Sequence, residues 1–166
     1  MAVDELLVGA LTAATALGAS FLTGRGAWRA ALAQARTTAL LQAAAQERER
    51  RRATYRDMLT AVHAFMEVCW SARPDRSDRQ PREQIRERMG RAAAEVTRAT
   101  REVLLDGPAA VSAAAEQVRL SMLRTEARFA DGSWDDYERA YDEFRNDHAA
   151  FIELARAALE VGPPPR

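Results

Sequence analysis

Lysine is absent from this chain of 166 residues, so all twenty-four of its basic residues are arginine. A whole-chain bias of this kind reflects coding composition before it reflects any one site, although arginine's planar guanidinium does favour forked pairing wherever it is used. Cysteine occurs once, at Cys69, and histidine twice, at His63 and His148. A single cysteine excludes an intramolecular disulfide and agrees with a reducing compartment, and the three residues together have no zinc-ligand spacing. Neither histidine has a glutamate three positions before it, which removes the carboxylate-bridged di-iron bundles. Phosphate loops are missing as well, because Gly24-Arg25-Gly26 lacks a third glycine, a lysine and a preceding strand.

What remains of reactive side chains reads as structural. His63 and Glu67 stand at i,i+4 and form a surface pair rather than an acid-base couple. His148 falls within an aromatic stripe and reads as a core histidine. Cys69 ends an apolar stripe without a fixed cation beside it, so its thiol is a small apolar filler. Ser112, Ser121 and Ser133 have no base in reach of their spacing. The expectation is a chain that is not an enzyme and carries no cofactor or metal.

Charge is also absent over one stretch, the nineteen residues from Leu6 to Gly24. As a helix this segment would rise about 28 Å, close to the roughly 30 Å hydrocarbon thickness of a bilayer. A cleavable signal peptide carries its positive charge before the apolar run, but Asp4 and Glu5 precede this one and arginines follow it. A membrane anchor is therefore expected, with lipid as one partner and a soluble helix as the alternative. Arg25, Arg29 and Arg36 then place the N-terminus outside and the remainder in the cytoplasm by the positive-inside bias. Ala10, Ala14 and Gly18 recur every four residues, the small-residue spacing that lets two membrane helices approach.

The rest of the chain is helical in pattern. Gly24 to Gly26 reads as a kinked exit from the anchor, and Ala27 to Trp70 contains neither proline nor glycine. Around Gln46 to Arg52 the apolar stripe vanishes, leaving a solvated stalk with i,i+4 pairs such as Glu47 with Arg51. Arg48, Arg50, Arg51 and Arg52 are a candidate basic surface for anionic lipid or nucleic acid. From Tyr55 the stripe returns as Tyr55, Leu59, Val62, Met66 and Cys69, broadened by Met58 and Phe65. After a polar loop over 71 to 80, Pro81 suits a first helical position, and Ile85, Met89, Ala92, Val96, Ala99 and Val103 repeat at threes and fours. Asp106-Gly107-Pro108 ends that helix. A third follows with Val111, Ala115, Val118, Met122, Thr125 and Phe129 inward, and Asp131-Gly132 stops it. Ser133 caps the fourth, with Asp136 in the capping-box position.

The fourth helix has the fullest stripe: Trp134, Tyr137, Tyr141, Phe144, His148 and Phe151, then Ala155 and Ala158. These rings are expected to form an aromatic core against alanines on the second and third helices. Gly162 and prolines 163 to 165 end it. The chain is thus read as all-α: a transmembrane-like helix (1–24), an Arg-rich stalk (25–52), an up-down antiparallel bundle (53–162) and a Pro-rich tail (163–166). Residues 25–101 hold seventeen arginines against nine acids, whereas 102–166 hold seven against thirteen. The acidic fourth helix is expected to face the basic second one.

The run ERERRRATYRDMLTAVHAFM, in which Arg51 and Arg52 precede Tyr55 and Leu59, resembles small actinobacterial membrane-anchored helical proteins of unknown function. The likeness covers the first seventy or so residues and implies only a tethered cytoplasmic helical domain. The leading expectation is a membrane-anchored bundle that binds protein partners and forms homo-oligomers. The alternatives are a membrane-active effector of the pore-forming kind and a soluble module that binds nucleic acid or a partner through its arginines.

Overall fold

In the computed structural model the described backbone covers residues 2–73, 81–131 and 133–160, with side chains described for 28 and from 31 onward within those ranges. It forms four α-helices: α1 (Ala2–Ser71), α2 (Arg82–Asp106), α3 (Ala109–Asp131) and α4 (Trp134–Glu160). No strand occurs among the described residues. The chain divides into two compact units, Met1–Gln46 and Glu47–Arg166.

Within the second unit the contacts fix an antiparallel order. Arg50 meets Asp106 and Met58 meets Thr100, so α2 descends beside α1. Arg82 donates to the Phe129 carbonyl at 2.7 Å, and Ser112 to that of Val103 at 3.3 Å, which pairs α3 with α2. Thr125 donates to the Ala140 carbonyl at 3.1 Å, joining α4 to α3. Tyr55 packs on Phe151, Phe65 on Phe144, and Tyr137 donates to the Cys69 carbonyl, which closes α4 back onto α1. In every pair one residue number rises as its partner's falls. This is an up-down four-helix bundle.

The core lies where the heptad pattern puts it. On α1 the buried set Tyr55, Met58, Ala61, Val62, Phe65, Val68 and Cys69 repeats at threes and fours, with Leu59 and Met66 on its margin. Ala93 is buried on α2 while Ala92 flanks the core, and the six inward positions read for α3 are all buried. The aromatic core of α4 finds ring partners that the sequence did not point to. Tyr137, Phe144 and Phe151 are buried and Trp134 and Tyr141 partly so, yet the rings meet other rings: Tyr55 and Phe65 of α1 and Phe129 of α3, at centroid distances of 5.3 to 6.2 Å. Edge-on ring packing satisfies the aromatic quadrupoles, and each such pair adds about 0.5–1.5 kcal/mol beyond burial. Buried alanines of α2 and α3, Ala93, Ala99 and Ala115, belong to the same core.

The expected facing of acidic α4 and basic α2 is corrected by the topology. In an up-down bundle α2 and α4 occupy opposite corners, each flanked by α1 and α3. Glu138 therefore reaches Arg73 beyond the end of α1, and Glu143 reaches Arg124 of α3. On α2, Arg91 pairs with Glu87 and Arg98 with Glu95 and Glu102 in its own helix. Two boundaries also shift. Pro81 is the cap rather than the first helical residue, its carbonyl accepting from Gln84 at 2.9 Å. And α1 passes through Gly24 to Gly26 as helix, because a glycine weakens a helix by about 1 kcal/mol without ending it.

Among the described residues no helix is long and apolar enough to cross a membrane. The side chains of the 1–24 stretch, including Ala10, Ala14 and Gly18, lie outside those described, as do residues 161–166 with the Pro-rich tail.

Candidate functional site

Two surfaces stand out, one in each unit. In the first unit, every described side chain from Trp28 to Ala43 is exposed. Alanine, leucine and glutamine make this length strongly helix-forming, and Thr37 returns its hydroxyl to the Ala33 carbonyl at 3.0 Å. What the segment lacks is acid: between Leu6 and Gln46 the chain has Arg25, Arg29 and Arg36 and no Asp or Glu at all. No i,i+4 ion pair is available to hold it as a solvated helix. Trp28 (69%), Leu40 (72%) and Leu41 (68%) are nevertheless open to solvent. That absence was legible in the sequence. The exposure of these apolar residues was not, because a stalk reading attends to the arginines.

In the second unit the arginine run at the edge of the bundle is mostly spoken for. Arg50 forks onto Asp106 of α2, Nε lying 3.0 Å from Oδ2 and Nη2 bonding Oδ1, and Thr54 adds a contact at 3.5 Å. The guanidinium holds the Asp106 carboxyl below its ordinary range, with burial opposing it. Arg51 pairs with Glu47 at 3.0 Å and Arg52 with Glu49 at 3.7 Å. Of the four candidate basic residues, three thus face carboxylates, and Arg48 is exposed. Arg50 is a clasp between α1 and α2. Asp106, which supplies the other half, carried no pattern in the sequence beyond its place before Gly107.

Most of the reactive side chains are buried or paired. Cys69 is buried, and burial pushes its thiol up to about 12. Tyr137 and Tyr141 are likewise raised, chiefly by burial. His63 lies 3.5 Å from Glu67 on the surface. The buried hydroxyls of Thr100, Ser121 and Thr125 each donate to a helix carbonyl one turn back. His148 and Tyr55 differ: the His148 Nε2 and the Tyr55 hydroxyl are each buried with no hydrogen-bond partner, and burial followed by the neighbouring His63 lowers the basicity of His148. Among the described residues no group of three or more His, Cys, Asp or Glu is placed to hold a metal ion.

One open groove of about 430 Å³ runs between α1 and α4, over Met66, Trp70 and Tyr141. Its charges answer each other, since Arg73 lies 3.9 Å from Glu138 and stacks 5.4 Å over the Trp70 ring, while Arg145 pairs with Asp142. Compared with protein families, with curated proteins and with solved structures, the chain has no match.

Proposed function

We propose that the chain is a non-catalytic, self-associating helical module whose α1 carries the association surface and whose bundle is the body presented to partners. The observation that supports this is the exposed, acid-free segment around Leu40 and Leu41. A helix that shows leucine to solvent without ion pairs leaves an apolar face for a partner to cover, since most helical stability in proteins comes from packing such a face.

A second copy of the same chain is the occupant that the charges favour. Counted in heptads, Thr37 and Ala44 fall at one seam position and Ala33 and Leu40 at the other, with Gln34 and Leu41 beside them. Arg36 then lies on one flank. In a parallel pair Arg36 lies against Leu41 of the other copy, whereas antiparallel copies set the two Arg36 flanks against each other. The uncharged stretch from Leu6 to Gly24 and the arginines after it support attachment of this end to a membrane, with the bundle in the cytoplasm. A stretch so rich in alanine, glycine and threonine is a weak lone anchor, and copies laid in parallel add to one another.

Site-directed crosslinking tests the arrangement. Leu40→Cys in the full chain is expected to form a disulfide-linked dimer under mild oxidation, and Ala39→Cys, on the outer flank, to remain monomeric. Equal crosslinking at both positions, or at neither, contradicts the parallel seam. Fractionation of the same preparations separates the tether from the association: a chain recovered without detergent removes the anchor and leaves the seam standing.

A further inference from the structure

We propose that the seam between α1 and α4 is acid-sensitive, because the half-buried imidazole of His148, set between Phe144 and Phe151, holds its Nε2 out of solvent with no hydrogen-bond partner, so that the two helices separate more readily as the pH falls. The inference is independent of self-association and rests on the second unit alone.

The geometry begins with the stripe of α4. His148 occupies the position between Phe144 and Phe151, whose rings pack on Phe65 and Tyr55 of α1. Sequence spacing makes it a core position, and a phenylalanine or leucine would complete the stripe. The imidazole found there presents Nε2 to the interior, buried and without a partner. A buried ring nitrogen without a hydrogen-bond partner is costly in either tautomer, and more so when the ring is charged.

Charged groups on the surrounding elements offer the proton no relief. From α1, Tyr55 packs on Phe151 with its hydroxyl likewise buried and unpartnered, and His63, a second imidazole 3.5 Å from Glu67, acts on His148. On α4, Arg145 is drawn to Asp142 at 3.6 Å. From α3, Thr125 and Arg124 face α4 at Ala140 and Glu143. Burial is the larger influence and His63 the smaller, and both act against a charge on the ring.

The direction of the pH effect follows. Above the ordinary histidine value of about 6.5 neither the folded nor the unfolded chain carries a proton at His148, and the position is neutral in its effect. Below that value the unfolded chain takes up a proton that the closed seam refuses. Stability at this seam is then lost until the pH has fallen through the lowered folded value. Each pH unit between the two values is worth about a tenfold change in the opening equilibrium.

Cys69 supplies a local reporter. It is the chain's one thiol, it is buried, and its carbonyl receives the Tyr137 hydroxyl across this same seam at 3.2 Å. Labelling of the full chain with a dipyridyl disulfide, which reacts in mild acid, is read at pH 7.5 and pH 5.5. Each rate is normalised to that of the urea-unfolded chain at the same pH. Labelling of the original chain is expected to accelerate by up to about tenfold on acidification, and that of His148→Leu to stay level. Equal acceleration in both chains overturns the proposal. So does a His148 imidazole that titrates by NMR at or above the ordinary value, a measurement on the unaltered chain that does not depend on the variant folding.

Discussion

Phe144 is one of two phenylalanines of α4 that are fully buried against α1. Its ring is fully buried, meets Phe65 edge-on at 5.3 Å, and lies within 6.2 Å of Tyr141. Phe144→Ala is expected to cost about 3–5 kcal/mol in urea unfolding, the range for a buried aromatic whose cavity does not collapse. Thr125 poses a finer question. Its hydroxyl lies 2.9 Å from the Ser121 carbonyl and 3.1 Å from that of Ala140, so it is a polar link between α3 and α4 inside the core. Thr125→Val keeps the shape and removes the link, and about 1 kcal/mol is the expected loss by the same assay. Both positions were legible as inward-facing from spacing. That Thr125 would bond across to another helix was not, because threonine in a helix more often bonds back to its own turn.

At the scale of the helices, ends decide more than middles. The Ser133–Asp136 capping box forms as the spacing implies: the Asp136 amide donates to Ser133 Oγ at 3.2 Å and that hydroxyl donates to the carboxylate at 2.8 Å. Ser133→Ala is expected to lower stability by about 1 kcal/mol, measured as a shift in the urea midpoint. Gly107 ends α2 for want of space: its backbone is extended, and a Cβ there would meet the Val103 carbonyl at 2.7 Å. The beginning of α2 also serves its neighbour, since Arg82 places a cation on the last turn of α3 and over the Phe129 ring. The Arg50–Asp106 clasp ties α1 to the end of α2. Because the folded carboxyl is held below its unfolded value, its contribution is present above the ordinary carboxylate range and is lost as the pH falls through the lowered value. Asp106→Asn is therefore expected to flatten the acid limb of a stability-against-pH curve below the ordinary carboxylate value of about 4, and an unchanged limb argues against the clasp. Helix-end punctuation was readable in the sequence because it is local. The clasp was not, since fifty-six residues separate its halves.

For the whole molecule, element count and antiparallel order could be read from apolar periods and short connections, as both depend on near neighbours along the chain. The distribution of charge could not, because a sum over a helix ignores which corner it occupies; α4 and α2 stand diagonally, and Arg124 and Arg73 receive the acids instead. The same limit hid the exposed apolar length of α1, which only shows once the bundle has been seen to cover other residues. Self-association through that length is the central claim, and sedimentation equilibrium of the full chain in one mild detergent addresses it most directly. The account predicts a mass of two or more chains at micromolar concentration, falling to a single chain when Leu40 and Leu41 are both changed to aspartate while the far-UV helix signal of the bundle is retained. A single-chain mass for the unaltered protein, or an assembly that the double change leaves intact, would contradict it.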